Sequence, residues 1–214
     1  MRTILMMDTG RKAMREAAQQ FAALGDQVHI LAREAFDAPG TQVHTANLLD
    51  GEALRALLPS LGRMDVLILG VPSMAEDGPI GSGHDTDAML EQLVYMGQGV
   101  ANVVAESLPL MADGMKRIAC ITEGESSIGY ALENDNMTRH MALAGLNLIG
   151  KELFNRLRPQ GFTFRWYADH DVAAPMSAAE YILSSLAFHP DEPPCHNEED
   201  RLVMRDGFLR EIPW

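Results

Sequence analysis

Cysteine is scarce in this chain: Cys120 and Cys195 are the only two among 214 residues. Two thiols cannot build a disulfide framework, and their scarcity fits a reducing compartment, so a cytoplasmic location is expected. Positive charge is also short. Seventeen Lys and Arg stand against 30 Asp and Glu, a formal net charge of −13. A chain that acidic lacks the clustered Lys and Arg of a nucleic-acid footprint or an electrostatic hold on anionic lipid. Neither nucleic acid nor membrane is an expected partner. No apolar run approaches the length of a membrane span. The opening MRTILMMDTGRK has an apolar stretch too short for a secretory signal. What the chain does have is apolar substance: 47% of its residues are hydrophobic, enough for a sizeable core in one domain over 1–214.

Short apolar runs alternate with amphipathic stretches. Thr3–Met7 (TILMM), Gln27–Ala32 (QVHILA), Gln42–Ala46, Asp65–Val71 (DVLILGV), Arg117–Thr122 (RIACIT) and Phe162–Tyr167 (FTFRWY) read as strands, with a final one within Arg201–Trp214. The spacing predicts helices over Arg11–Leu24, Asp50–Leu61, Thr86–Ala112, Met137–Leu157 and Ser177–His189, with Gly25 stopping the first and Ser177 capping the last. Pro72–Asp85, Glu123–Asp135 and Asp191–Asp200 read as loops. This alternation predicts an α/β fold: a three-layer, doubly wound parallel sheet of Rossmann-like form with about seven strands. Ligands of such sheets sit at the carboxyl ends of the strands, where strand order reverses. That directs attention to Asp8–Lys12, Arg33, Asn47, Gly70–Ser73, Glu123–Ser127 and Asp169–Asp171.

The opening ILMMDTGRKAMREAAQQFAALGDQVHILAR, the strand DVLILGV, the stretch GLNLIGKELFNRLRPQGFTF and the tail RDGFLREIPW together resemble the short-chain dehydrogenase/reductase family. The resemblance spans nearly the whole chain and specifies a fold rather than an activity. Counting back from Gly25, the family's three glycine places hold Asp8, Lys12 and Met14. A carboxylate there repels a pyrophosphate, and the two longer side chains are expected to fill the space it needs. The N-N-A-G place reads Leu69-Gly70-Val71-Pro72, and the acidic residue near the adenine appears as Asn47.

The resemblance places Arg139 where the family has its Tyr proton donor and Leu143 where it has the Lys that tunes it. The Ser place falls on Glu123 or Ser126, the Asn place is near Met96, and Asp169-His170 replaces a Pro-Gly pair. Arginine gives up no proton at neutral pH. Tyr130, as a displaced acid, has no lysine four residues on. The resemblance also places Arg11 and Arg33 where NADP-preferring members carry basic residues. The cofactor-binding candidates are therefore Thr9, Arg11, Lys12 and Arg33, with NADP as the cofactor if there is one. The catalytic candidates are Arg139, Glu123, His140 and His170: a guanidinium suited to an anionic small molecule, a carboxylate that pairs with it, and two imidazoles able to exchange protons. Arg139→Leu is expected to abolish ligand binding and leave the fold intact.

Two readings stay open. One is a protein that has lost hydride transfer and acts as a non-catalytic subunit or small-molecule binding protein. The other is an enzyme, either an NADP-dependent oxidoreductase with a rearranged site or a non-redox lyase or isomerase.

Other constellations read as structural. Asp169-His170-Asp171 with Glu123 and Glu125 offers metal-ligand types on too few elements, so no metal is expected. Cys195-His196 sits in an acidic, Pro-rich surface loop, and the fourteen methionines are mostly core filling. The two longest helices carry Leu90, Leu93, Val94, Val100, Val103, Val104, Met141, Leu146, Leu148 and Ile149. That is more apolar surface than one core requires, and it predicts a homo-oligomer, or a hetero-oligomer with an active family member.

Overall fold

A computed structural model describes residues 1–7, 12–70, 77–169, 173–184 and 201–214. Eight strands form one sheet in the order β3-β2-β1-β4-β5-β6-β7-β8. They are β1 (Thr3–Met7), β2 (Gln27–Ala32), β3 (Gln42–Thr45), β4 (Val66–Gly70), β5 (Arg117–Thr122), β6 (Thr163–Ala168), β7 (Met204–Arg205) and β8 (Glu211–Ile212). All neighbours pair in parallel except β7 with β8. The central strands are apolar without alternation because helices cover both faces. The order reverses between β1 and β4, so the crevice opens at the carboxyl ends of those strands.

The helices are α1 (Lys12–Ala23), α2 (Gly51–Leu57), α3 (Thr86–Val94), α4 (Val100–Ser107), α5 (Met137–Leu157) and α6 (Ala178–Leu183). One apolar layer gathers Phe21 of α1, Tyr181 and Ile182 of α6 and the strand residues Ile4, Ile30 and Ile121. The other gathers Leu54, Val103, Leu143, Leu146 and Phe154 around Leu5, Leu67 and Trp166. Gly150 lets α5 approach β6, since a Cβ there would overlap the Trp166 ring. Asn147 then pins the crossing: its carbonyl accepts from Trp166 Nε1 at 3.0 Å and its amide donates to Ser126 O at 3.0 Å. No helix among the described residues is long and apolar enough to cross a membrane.

The structure refines the expected elements where proline or strain intervenes. The helix expected over Asp50–Leu61 becomes α2 followed by a 3-10 turn carrying Pro59. The one expected over Thr86–Ala112 is divided by a π-helical stretch, Tyr95–Gly99, and ends in a 3-10 turn carrying Pro109. The last strand is a hairpin, β7–β8, which brings the count to eight instead of about seven. Of the apolar residues named on the two long helical stretches, Val100, Val103, Val104 and Leu146 are core. Leu90, Val94, Met141 and Leu148 are the ones left exposed.

Candidate functional site

Glu123 follows β5 directly, in extended conformation, and is 3% exposed. Arg139 stands in the first turn of α5 and donates from its guanidinium to Glu123 Oε2. The ion pair bridges the end of a central strand to the start of the longest helix. It lies where the resemblance places the family's proton donor and one of the two alternatives for its serine. The other alternative, Ser126, is buried and directs its hydroxyl to Met204 Sδ at 3.5 Å. Leu143, at the lysine place, is wholly enclosed in the core. Met96, near the asparagine place, is also core, within the π-helical stretch.

The start of α5 is secured from a distance. Asn136 enters the helix in a left-handed conformation (φ 60°) and makes no cap bond of its own. Asp77, after β4, supplies the cap: Oδ2 accepts from Thr138 N at 3.1 Å and Thr138 Oγ1 at 2.7 Å. Two further bonds tie the backbones, Asn136 N to Asp77 O at 2.8 Å and Asp77 N to Asn136 Oδ1 at 3.3 Å. His84 places Nδ1 3.3 Å from the same carboxylate oxygen. Burial alone would raise the Asp77 carboxyl pKa. The bonds from Thr138 and the nearby His84 outweigh it and hold the pKa below the ordinary value. A carboxylate at the amino end of a long helix is also favoured by the helix dipole.

Asp77, Thr138, Asn136 and His84 are absent from the candidates read in the sequence. The bond between Asp77 and Thr138 spans 61 positions, and no local pattern announces it.

The remaining candidates separate. His140 sits 3.6 Å from Glu133. Tyr130 is exposed on the surface. Asp169 donates its amide to Thr122 O, extending the β5–β6 ladder by one bond. Asn47 caps its own turn through Leu49 N at 3.1 Å. Asp8, Thr9, Arg11, His170, Asp171 and the Cys195-His196 pair lie outside the described residues. Among the described residues no group of three or more His, Cys, Asp or Glu is arranged to hold a metal ion.

Of the expected anion site, Lys12 and Arg33 lie within the described residues. Arg33 donates to Glu91 at 2.9 Å and stacks over the Tyr95 ring at 4.4 Å, bridging the end of β2 to the α3 helix. The Lys12 ammonium is solvent-exposed, 3.6 Å from Glu16. Met14 packs into the layer beneath α1. Two positions apart on α1, Lys12 points to water and Met14 points inward. A cavity of about 310 Å³ lies between α1 and the β6–α6 segment. Among the described residues its charged lining is Glu16, Asp169, Glu180 and Lys12.

No protein-family model matches the sequence, and no curated protein matches it. Solved structures do match. Carbonyl reductase Sniffer of D. melanogaster aligns over 100% of both chains at a TM-score of 0.75 and 14% identity. A Burkholderia multivorans protein classed with the short-chain dehydrogenase/reductases, holding bound NADP, aligns over 100% of this chain and 99% of its own at 0.72 and 17%. A Serratia marcescens short-chain dehydrogenase/reductase aligns over 85% and 84% at 0.65 and 16%. The chain has the fold of the short-chain dehydrogenase/reductases.

Proposed function

We propose that this chain is a short-chain dehydrogenase-like protein that does not transfer hydride, and that it works as a non-catalytic subunit or as a binding protein for an anionic small molecule. One observation carries the reading: the place of the proton donor holds Arg139, ion-paired to buried Glu123. A guanidinium stays protonated at any physiological pH. The lysine place cannot be restored by a small adjustment, because Leu143 is sealed in the core and an ammonium there would be buried without a partner. The engagement of Arg33 with Glu91 and Tyr95 and the acidic lining beside α1 support weak or absent NADP binding. An anion entering the crevice would meet Arg139 as a planar donor fork and would compete with Glu123 for it.

Titration with NADPH and NADH, followed by nucleotide fluorescence and calorimetry, tests this reading. No saturable binding into the millimolar range is expected, and no NADPH consumption with aldehydes or ketones. Micromolar NADPH affinity with carbonyl-dependent turnover would overturn it.

A second reading, proton-transfer chemistry on a bound anion, is favoured by the contact of His84 with Asp77, whose carboxylate also bonds Thr138, the residue before Arg139. The imidazole there already has a carboxylate to orient it. Loss of an isomerase or lyase activity in His84→Gln, with anion binding retained, would select that reading.

A further inference from the structure

A helix interior disfavours glycine, so each one in α5 needs a reason. Gly150 has one in the Trp166 ring packed against it. Gly145 has none of that kind: a Cβ built there meets nothing within 4 Å. It faces a cavity of about 720 Å³ between α5, the segment after β5 and the carboxyl-terminal hairpin. The walls are apolar, with Ile128, Leu148, Leu202 and Trp214 among them. Three of these are large side chains left open to water: Ile128 is 83% exposed, Leu148 61% and Trp214 41%. The polar groups at the base are already used within the fold. Asn147 bonds Ser126 O and Trp166, and the Ser126 hydroxyl is directed to Met204.

Charge completes the description. Two basic residues, Lys151 and Arg201, line the cavity, and no acidic residue does among the described residues. Arg201 is held by both oxygens of Glu211, at 2.5 Å each. Lys151 stands 5.1 Å over the Phe154 ring and has no carboxylate partner among the described residues. On a protein of net charge −13, this basin carries a local positive charge beside an apolar interior. The volume lies within the range of sites that bury most of a drug-sized ligand.

We propose that this cavity is a binding site for an amphiphilic organic anion, whose apolar body lies over Gly145 against Leu148 and Trp214 and whose anionic group meets Lys151. Gly145 is the specificity-determining residue, because it leaves open the space the apolar body takes. The site is separate from Arg139 and Glu123 and does not depend on the function proposed for them.

Dodecanoate and dodecanol are the probes, titrated calorimetrically and by displacement of anilinonaphthalene sulfonate from the full chain. Saturable one-to-one binding of dodecanoate is expected. Lys151→Ala weakens dodecanoate by roughly threefold, the scale of a solvent-exposed ion pair, and leaves dodecanol unchanged. Gly145→Phe fills the cavity and weakens both by at least about tenfold, while thermal unfolding shows the variant folded. Gly145→Ala keeps most of the space and retains binding. Absence of saturable binding in the unmodified chain would overturn the proposal. So would unchanged affinity in Gly145→Phe, or equal affinity for the acid and the alcohol with Lys151→Ala silent. A ligand-free dimer that becomes monomeric in Gly145→Phe would also overturn it, because a second copy of the chain would then cover this face.

Discussion

Replacing Arg139 with methionine keeps much of the side chain's length and removes its charge. Glu123 then keeps a carboxylate that is 3% exposed and loses the guanidinium beside it. Removing one partner of a fully buried ion pair costs about 3–5 kcal/mol. Here the Arg139 side chain is 33% exposed, so water reaches one side of the pair and reduces the cost to about 2 kcal/mol. In a domain of this length that lowers Tm by about 4–8 °C. Glu123→Gln retains the shape and an acceptor oxygen and leaves Arg139 to be hydrated, so about 1 kcal/mol is expected. The double variant has no stranded charge and should be less destabilised than the sum, with a coupling energy of about 2 kcal/mol. Urea unfolding monitored by tryptophan fluorescence measures all four corners, since Trp166 is buried in the core. Additivity within about 0.5 kcal/mol would refute the reasoning. The expectation from sequence, that Arg139→Leu leaves the fold intact, is compatible with a stability cost of this size.

The two glycines of α5 should respond oppositely to alanine. Gly145→Ala should stabilise by about 1 kcal/mol in denaturant unfolding, while Gly150→Ala should destabilise by about 1–3 kcal/mol through overlap with Trp166; shifts of the same sign would contradict the packing described. His29 donates or accepts at 3.0 Å with His44 across β2 and β3, and burial, then His44, lowers its pKa from 6.5. The unfolded chain therefore binds a proton more readily, so this contribution to stability is complete above pH 6.5 and is lost as pH falls below it. His29→Gln should flatten the stability profile below about pH 6.5, and an identical slope in the variant would count against the burial argument. If the chain assembles through α3 and α5, the contact must draw on the exposed Leu90, Val94, Met141 and Leu148, since Leu146 is core. Light scattering should then show at least a dimer that Leu90→Asp dissociates, and a monomeric unmodified chain at micromolar concentration would end that expectation.

Local patterns determined the architecture. The apolar runs TILMM, VLILG and RIACIT are continuous because both faces of a parallel sheet are buried, and that signature is visible without any partner strand. The caps at Asp50, Asp85 and Ser177 are equally local, each bonding amides two or three residues on. The pairing of Arg139 with Glu123 was also within reach, because the fold's connectivity brings the end of β5 and the start of α5 to one crevice. Tertiary structure decided the rest. It set Arg33 on Glu91 and Tyr95, 58 positions away for the first. It turned Lys12 to solvent and Met14 into the core, a matter of helix phase that glycine counting cannot supply. It gave α5 a cap from Asp77, and it divided two chemically identical helix glycines into one that admits Trp166 and one that opens a cavity. Hydrogen-bond capping within a turn is written in neighbouring residues, whereas ion pairs and packing between distant segments depend on which surfaces the finished sheet brings face to face.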